Sequence, residues 1–448
     1  MTTPAATPGV AAGPPDPESI LRSRQFVALL VMGAIVGVPV AAVAYFFLDG
    51  VARVQNEVYV NLPTSMGFHG EPLWWPLPWL ALSGLLVALA ITYLPGTGGH
   101  EPSEGLKSGG VQPIELFGII AAAFATLSLG VVLGPEAPLI AIGGGLGALA
   151  VHLIKRDANP MAAVVIGAAG SFTAIATLLG SPLVGAFLLM EMIGLGGTMM
   201  EVVLVPGVLA AGIGSLIFVG LNSLTGFGTF SLAVSNVPVV GTPTAGEFGW
   251  AFVIGIASAI VAAVVFRGAR LLRPVVERRR ISLTPLIGLA VGGAAIAFQA
   301  GTGRSSSDVL FSGQSELPTL VGHAASWSVG ALLLLLACKA VAYSLSLSSF
   351  RGGPIFPSMF IGAAGGIALS HAGGLPMIAG VAMGVGAMTA GALKMPMTAV
   401  LLPSLLFATD AIALMPVVIV AVVVSFVVSM HINPPLPPAV PAAPASSP

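Results

Sequence analysis

The feature that most constrains this chain is a series of apolar segments between residues 26 and 430. A helix of about 20 apolar residues crosses the hydrocarbon core of a bilayer. Only 7% of the 448 residues are charged, too few to cover a water-facing surface. We therefore predict an all-α integral membrane protein. The segments predicted to span are 26–48, 73–94, 114–133, 161–179, 200–220, 248–272, 283–299, 326–349 and 411–430.

Shorter apolar segments, interrupted by glycine and proline, lie among the long ones. Non-helical backbone is tolerated at membrane depth only inside protein or beside a water-filled cavity. Many such breaks in one chain are typical of a transporter or channel with discontinuous helices. The interrupted segments are 136–153, 182–197, 356–370, 376–392 and 396–409.

Basic residues predict the orientation, because lysine and arginine concentrate in cytoplasmic loops. They cluster at Arg22/Arg24, at Lys155/Arg156 and in 267–280, which we expect to be a solvated cytoplasmic loop. The loop 49–72 is not basic and is predicted to lie outside. Alternation of the spans then places both termini and residues 96–105 in the cytoplasm.

The chain contains an internal repeat. GPEAPLIAIGGG (134–145) matches GPIFPSMFIGAA (353–364), with glycine and both prolines at the same offsets. Further along, SPLVGAFLL (181–189) resembles MPMTAVLLP (395–403). Two matches in the same order predict two membrane halves, each with a broken helix after G-P-x-x-P. We assign residues 1–20 to a disordered cytoplasmic tail, 21–246 and 247–437 to the two halves, and 438–448 to a disordered Pro/Ala-rich tail.

The two broken helices are predicted to begin inside the membrane. A helix N-terminus carries free N–H groups and a partial positive charge, so it binds anions without a basic side chain. Glu136 stands between two prolines at the first such end. Its ionised carboxylate can occupy the anion site and leave it on protonation, which makes it a candidate gate. The alternative is a simple first-turn cap. The candidate anion-binding backbone is that of Gly134, Ala137, Gly353, Ile355 and Phe356.

These residues resemble the CLC family of chloride channels and chloride/proton exchangers. Gly134–Pro138 looks like the G-[KR]-E-G-P stretch with the gating glutamate, and Gly353–Pro357 looks like G-x-F-x-P. Gly98–Pro102 takes the place of G-S-G-I-P, and 181–192 resembles the helix that ends in E-E-M. The resemblance implies a CLC-type inverted repeat with discontinuous and re-entrant helices. It also implies chloride as the transported ligand and a homodimer with one pore per subunit.

Several family side chains are replaced in this chain. The basic residue before the gate is Pro135, and Pro354 removes a backbone donor. The anion-coordinating serine falls at about Gly99 and the pore tyrosine at Pro437, so His100 and the amides of Ile355 and Phe356 are candidate substitutes.

The family's internal proton glutamate falls at Met192, and a thioether carries no proton. We therefore expect anion flow through a Glu136-gated pore with weak or no proton coupling. The alternative is a chloride/proton antiporter in which Glu191 or water relays the proton.

Other classes fit the sequence less well. The six histidines lie at segment ends or in loops, and no H-E-x-x-H pattern is present, so we predict neither an enzyme nor a metal or other cofactor. Another ion-coupled secondary transporter is a distant alternative. A net charge of −1 gives no reason to expect a nucleic-acid partner. We expect Lys339 and Lys394 to snorkel to the interface of the plasma membrane.

Overall fold

The computed structural model describes residues 21–106, 110–154, 160–194, 198–226, 232–234, 241–407 and 411–433. Within these ranges the regular elements are helices, and the one isolated backbone bridge belongs to no strand. This confirms the all-α prediction. The predicted tails, Lys155/Arg156 and Pro437 lie outside the described residues.

The first set of helices covers the first repeat. These helices match most of the predicted spans, with two differences in length. The predicted span 114–133 is only a 13-residue helix, while the segment at 136–153, predicted to be interrupted, forms a continuous 19-residue helix. Two of its glycines, Gly143 and Gly147, face the backbone of the next helix, and the helix is not broken there. The helices are α1 Arg24–Asn56, α2 Leu62–Ser65, α3 Pro76–Tyr93, α4 Leu116–Ser128, α5 Glu136–Ile154, α6 Pro160–Leu179, α7 Pro182–Ile193 and α8 Thr198–Thr225.

The second set repeats the arrangement of short helices that follow a G-P-x-x-P break. The helices are α9 Ala245–Arg278, α10 Arg280–Thr302, α11 Glu316–Gly322, α12 Val329–Ser349, α13 Ile355–Ser370, α14 Met377–Leu393, α15 Pro396–Leu406 and α16 Ala411–Ile432. Nine helices of the described part are long and apolar enough to cross a membrane.

Glycines let the broken helices pack backbone to backbone with the helices that follow them. A Cβ on Gly143 of α5 would overlap the carbonyl oxygen of Gly170 in α6. A Cβ on Gly362 of α13 would overlap that of Gly384 in α14. Gly143 and Gly362 occupy the same place in the two repeats, so the packing is repeated along with the sequence. Small residues serve this purpose in membrane helix pairs.

The two repeats meet through a pair of backbone hydrogen bonds. The N–H of Gly134 donates to the carbonyl of Gly353 at 2.7 Å, and the N–H of Gly353 donates to the carbonyl of Gly134 at 2.5 Å. These are the first residues of the two matching stretches. The bridge therefore joins equivalent positions, as an inverted repeat requires, and brings the starts of α5 and α13 together.

The arginines of 267–280 do not form the solvated loop that the sequence predicts. All but Arg279, which separates the two helices, lie on α9 or at the start of α10, and Arg273 pairs with Glu101, Glu104 and Glu277. The charged end of α9 thus packs against residues 96–105, which the sequence places on the same side of the membrane.

Candidate functional site

Glu136 lies where the two broken helices begin, and its side chain is completely buried. Its Oε1 accepts a hydrogen bond from the backbone N–H of Phe356 at 2.7 Å. Oε2 is buried and accepts none from the described residues. The carboxylate therefore spans from the start of its own helix to the start of α13, where free N–H groups attract negative charge.

The glycines of the bridge make room for this carboxylate. A Cβ at Gly134 or at Gly353 would overlap the carboxylate oxygens of Glu136. Any larger residue at either position would push the carboxylate out of its present place. Gly134, Glu136, Gly353 and Phe356 are thus brought together, as the sequence predicts, with Ala137 and Ile355 next to them in the chain.

A cavity of about 370 Å³ adjoins this centre. Ala137 and Pro138 line it from α5, Gly99 and His100 from the loop before α4, and Met192 from α7. The cavity therefore adjoins part of the predicted anion-binding backbone and includes both Gly99, where the family's serine falls, and His100, one of its candidate substitutes. It reaches the side of the molecule that the sequence predicts to be cytoplasmic.

Gly99 has a backbone conformation that accounts for its residue type. Its φ is +92°, a region that residues with a Cβ rarely adopt. Thr97 and Gly98 before it also have positive φ angles. The turn therefore has no place for a serine of ordinary conformation, and the backbone itself lines the cavity.

The buried Tyr343 braces the second broken helix from behind. Its hydroxyl donates to the carbonyl of Pro354 at 2.9 Å and lies 3.2 Å from the hydroxyl of Ser358. Pro354 has no backbone N–H to donate, so it is held through its carbonyl oxygen instead. Tyr343 is not among the residues that line the cavity.

Arg351 is a cavity residue that the sequence reasoning missed. Its side chain is only 5% exposed, and it lies two residues before Gly353. Its Nε donates to the carbonyl of Thr97 at 3.2 Å, and its Nη2 lies 3.5 Å from Oε1 of Glu101. The signal that sequence reasoning passed over is an arginine in an apolar run, directly before the second broken helix.

Glu101 connects Arg351 to the charged end of α9, since it pairs with both Arg351 and Arg273. Burial raises the pKa of the Glu101 carboxyl, while the two arginines lower it. Its charge is therefore shared between an arginine in the cavity wall and one at the molecular surface.

Glu191 is placed away from the cavity wall. Its Oε1 accepts from the N–H of Met397 at 2.7 Å, and its Oε2 accepts from the N–H and hydroxyl of Thr398 at 2.7 and 2.6 Å. It therefore caps the N-terminus of α15 from the other half of the chain. Its neighbour Met192 is the residue that faces the cavity.

The prediction that Lys339 snorkels to the interface is wrong. Lys339 is fully buried, and its Nζ donates to the carbonyls of Asp308, Val309 and Leu310, each at 3.1 Å. It also lies 4.2 Å from the centre of the Phe360 ring. Carbonyl groups replace the water that a snorkelling lysine seeks. Lys394 likewise fails to reach water, because its Nζ is buried without a hydrogen-bond partner among the described residues.

Two solved structures share the fold with this chain. The first is a slow cyanobacterial Cl⁻/H⁺ antiporter, with a TM-score of 0.71 and 18% sequence identity over 90% of this chain and 95% of the other. The second is a CLC-type fluoride/proton antiporter, with a TM-score of 0.65 and 18% identity over 92% and 97% of the two chains. They confirm the CLC-type inverted-repeat architecture.

Relatives in sequence are ion-transport proteins by name. "Putative ion-transport protein YfeO" of Salmonella newport (strain SL254) is 29% identical over 359 residues, 79% of this chain and 84% of the relative. The protein of the same name from Escherichia coli O17:K52:H18 is 26% identical over 355 residues, 78% and 80% of the two chains. The family model described as "Voltage gated chloride channel" matches residues 80–430. The chain is therefore a multi-pass membrane protein that belongs to the CLC family.

Proposed function

We propose that this protein passes chloride across the membrane through a pore that Glu136 gates. The observation that carries the proposal is the position of the Glu136 carboxylate. It accepts the backbone N–H of Phe356 at the start of α13, and the cavity lined by Ala137 adjoins it. A carboxylate bound there takes the place of the permeating anion. An anion and the carboxylate then compete for the same N–H groups.

The test is chloride efflux from liposomes that contain the purified protein. Glu136→Gln keeps the side-chain volume but fixes the neutral form, so the pH dependence of the flux should flatten. Glu136→Ala empties the position that the carboxylate occupies, and anions should pass freely. Flux that keeps its original pH dependence in both variants would exclude Glu136 as the gate.

The proposal includes weak or absent proton coupling. Proton transfer through an apolar interior needs a titratable group or a file of ordered water at each step. Met192 faces the cavity where the family has its proton glutamate, and Glu191 is engaged by three donors at α15.

A chloride gradient across the same liposomes, without a protonophore, tests this part. We expect the gradient to collapse with no proton movement beyond the leak. Sustained uphill proton movement would support the second candidate, a chloride/proton antiporter, which is favoured by the likeness of the fold to a Cl⁻/H⁺ antiporter and to a fluoride/proton antiporter. Its loss in Glu191→Gln would then make Glu191 the proton relay.

The assembly and location follow from the family resemblance. We propose a homodimer in the plasma membrane with one pore per subunit and both termini in the cytoplasm. Large apolar side chains such as Leu183, Val205, Met397 and Ile412 are exposed on α7, α8, α15 and α16, where lipid or a second subunit would cover them.

A further inference from the structure

The 370 Å³ cavity, here called the inner cavity, contains a buried positive charge. Anion binding at the starts of α5 and α13 does not use this charge. Arg351 lines the cavity together with Gly352, one residue before the Gly353 bridge. The N–H of Arg351 donates to the hydroxyl of Thr126 at 3.3 Å, which fixes the backbone from which the side chain projects. A Cβ on Gly98 would come within 3.2 Å of the Arg351 Cγ, so the turn at residues 96–99 also packs closely on its stem.

The hydrogen-bonding capacity of this guanidinium is only partly used. It has five N–H donors in a rigid fork. Two of its nitrogens donate to protein carbonyls, Nε to Thr97 at 3.2 Å and Nη1 to Phe350 at 3.3 Å. The separation of 3.5 Å between Nη2 and Glu101 Oε1 exceeds the roughly 2.7–2.9 Å of a charge-assisted hydrogen bond. The ion pair with Glu101 is therefore a loose one.

Glu101 is loosely held by Arg351 because it is also drawn to Arg273. Arg273 in turn binds Glu104 at 2.6 Å and Glu277 at 2.8 Å. An arginine that paired fully with its own carboxylate would have no affinity left for a ligand, whereas an unpaired buried arginine would hold an anion tightly. A shared carboxylate gives an intermediate strength, which suits an anion that must bind and leave.

We propose that Arg351 is an anion ligand of the inner cavity and that Glu101 is its built-in competitor. A monovalent anion that enters the cavity binds the guanidinium in place of Glu101, which turns to Arg273. From there the anion moves to the backbone N–H groups at the helix ends. The proposal rests on the proposed function, since it assigns a further ligand on the same anion path. It supplies by charge what the absent serine and tyrosine hydroxyls supply elsewhere in the family.

Bromide titration of the full-length purified protein, followed by calorimetry, tests the competition. Glu101→Gln removes the competing charge and keeps the volume, so the Kd for bromide should fall roughly tenfold. Glu104→Gln is the matched control, because Glu104 lies on the same short helical turn, Pro102–Glu104, and pairs with Arg273. Its Kd should stay at the wild-type value. Equal changes in both variants would mean a general electrostatic effect and would overturn the assignment.

A second set of variants tests the ligand itself. Arg351→Met should raise the Kd for bromide roughly tenfold, and adding Glu101→Gln to it should change nothing further. If Glu101→Gln still tightens binding without the arginine, Arg351 is not the ligand. Should Arg351→Met fail to fold, bromide-soaked crystals of Glu101→Gln decide. Anomalous density beside the guanidinium is expected, and density at the helix ends alone would overturn the proposal.

Failure of this inference is distinguishable from failure of the proposed function. If the wild-type protein conducts chloride and the Glu136 variants change its flux as expected, the proposed function stands. If the Kd for bromide is then the same in Glu101→Gln and Arg351→Met as in the wild-type protein, only the assignment of Arg351 is contradicted. A wild-type protein that neither binds bromide nor conducts would sink both.

Discussion

At the scale of single residues, two lysines in apolar surroundings show how different the same side chain becomes in different settings. Three carbonyls of one loop turn converge on the Nζ of Lys339. The buried Nζ of Lys394 receives no hydrogen-bond acceptor from the described part of the chain. Lys339 thus ties residues 308–310 to the middle of α12, whereas Lys394 makes no comparable tie to a described residue.

Replacing these lysines should therefore have unequal effects on stability. Lys339→Met removes this donor from two buried carbonyls and one partly buried carbonyl, so we expect the free energy of unfolding to fall by roughly 3 kcal/mol. Lys394→Met removes a poorly solvated charge and should change it by less than about 1 kcal/mol. Thermal unfolding of both variants in the same detergent measures the difference. Equal midpoints would contradict this account of Lys339.

Arg351 and Lys339 also show why the sequence could not yield every contact. Their carbonyl partners are backbone atoms whose direction depends on turns elsewhere, at Thr97 and at residues 308–310. Glu101 and Arg351 lie far apart in the chain and share no motif. By contrast, Glu136 stands out by its type and position alone, and the structure places it at the helix ends where the sequence predicted it.

At the scale of elements, the repeated helix pairs depend on glycines that face a neighbouring backbone. In α13, Gly366 is one such residue, because a Cβ there would overlap the carbonyl of Gly380 in α14. The next residue toward the N-terminus, Gly365, has nothing within 4 Å of the same position. Of these two adjacent glycines, Gly366 allows α13 and α14 to pack closely, whereas Gly365 faces open space.

Alanine substitution should separate the two glycines. Gly366→Ala forces α13 and α14 apart, and overpacking of this kind costs about 1–3 kcal/mol. Gly365→Ala enters open space and gains helix propensity, so stability should stay level or rise by up to about 1 kcal/mol. Unfolding midpoints in detergent report both effects. A loss in Gly365→Ala as large as that in Gly366→Ala would argue against backbone contact as the reason for Gly366.

The helical elements could be predicted to a large extent from apolar length and from proline and glycine. The repeat at 134–145 and 353–364 correctly indicated where α5 and α13 begin. Apolar length failed at 114–133, where the helix ends at Ser128 and the chain runs on to the bridge. It failed in the opposite sense at α5, since glycines that pack against a neighbour look like breaks when the neighbour is unknown.

At the scale of the whole molecule, two faces differ in the charged contacts that they carry. Arg273 joins the end of α9 to the loop with Glu101 and Glu104. On the other face, three serine hydroxyls of residues 305–307 donate to the carboxylate of Glu71. The basic face is the one that the positive-inside rule assigns to the cytoplasm.

Labelling with a membrane-impermeant maleimide on intact cells tests this orientation. The single native thiol, Cys338, is 9% exposed and should give little background. His69→Cys lies in an exposed loop on the Glu71 side and should react on intact cells. Arg279→Cys, exposed between α9 and α10, should react only after the membrane is opened. The reverse pattern would invert the proposed topology.

The Gly134–Gly353 bridge also limits how the molecule can move. Parting it leaves two N–H groups and two carbonyl groups without their partners, and each buried polar group left unpaired costs about 1–3 kcal/mol. The bridge therefore opposes a cycle in which the two halves rock against each other. In the mechanism that we propose, the part that moves is the Glu136 side chain, at two helix ends that the bridge holds together. Under that mechanism we expect the arrival of ions and the movement of one side chain to limit the flux, and not a movement of whole halves.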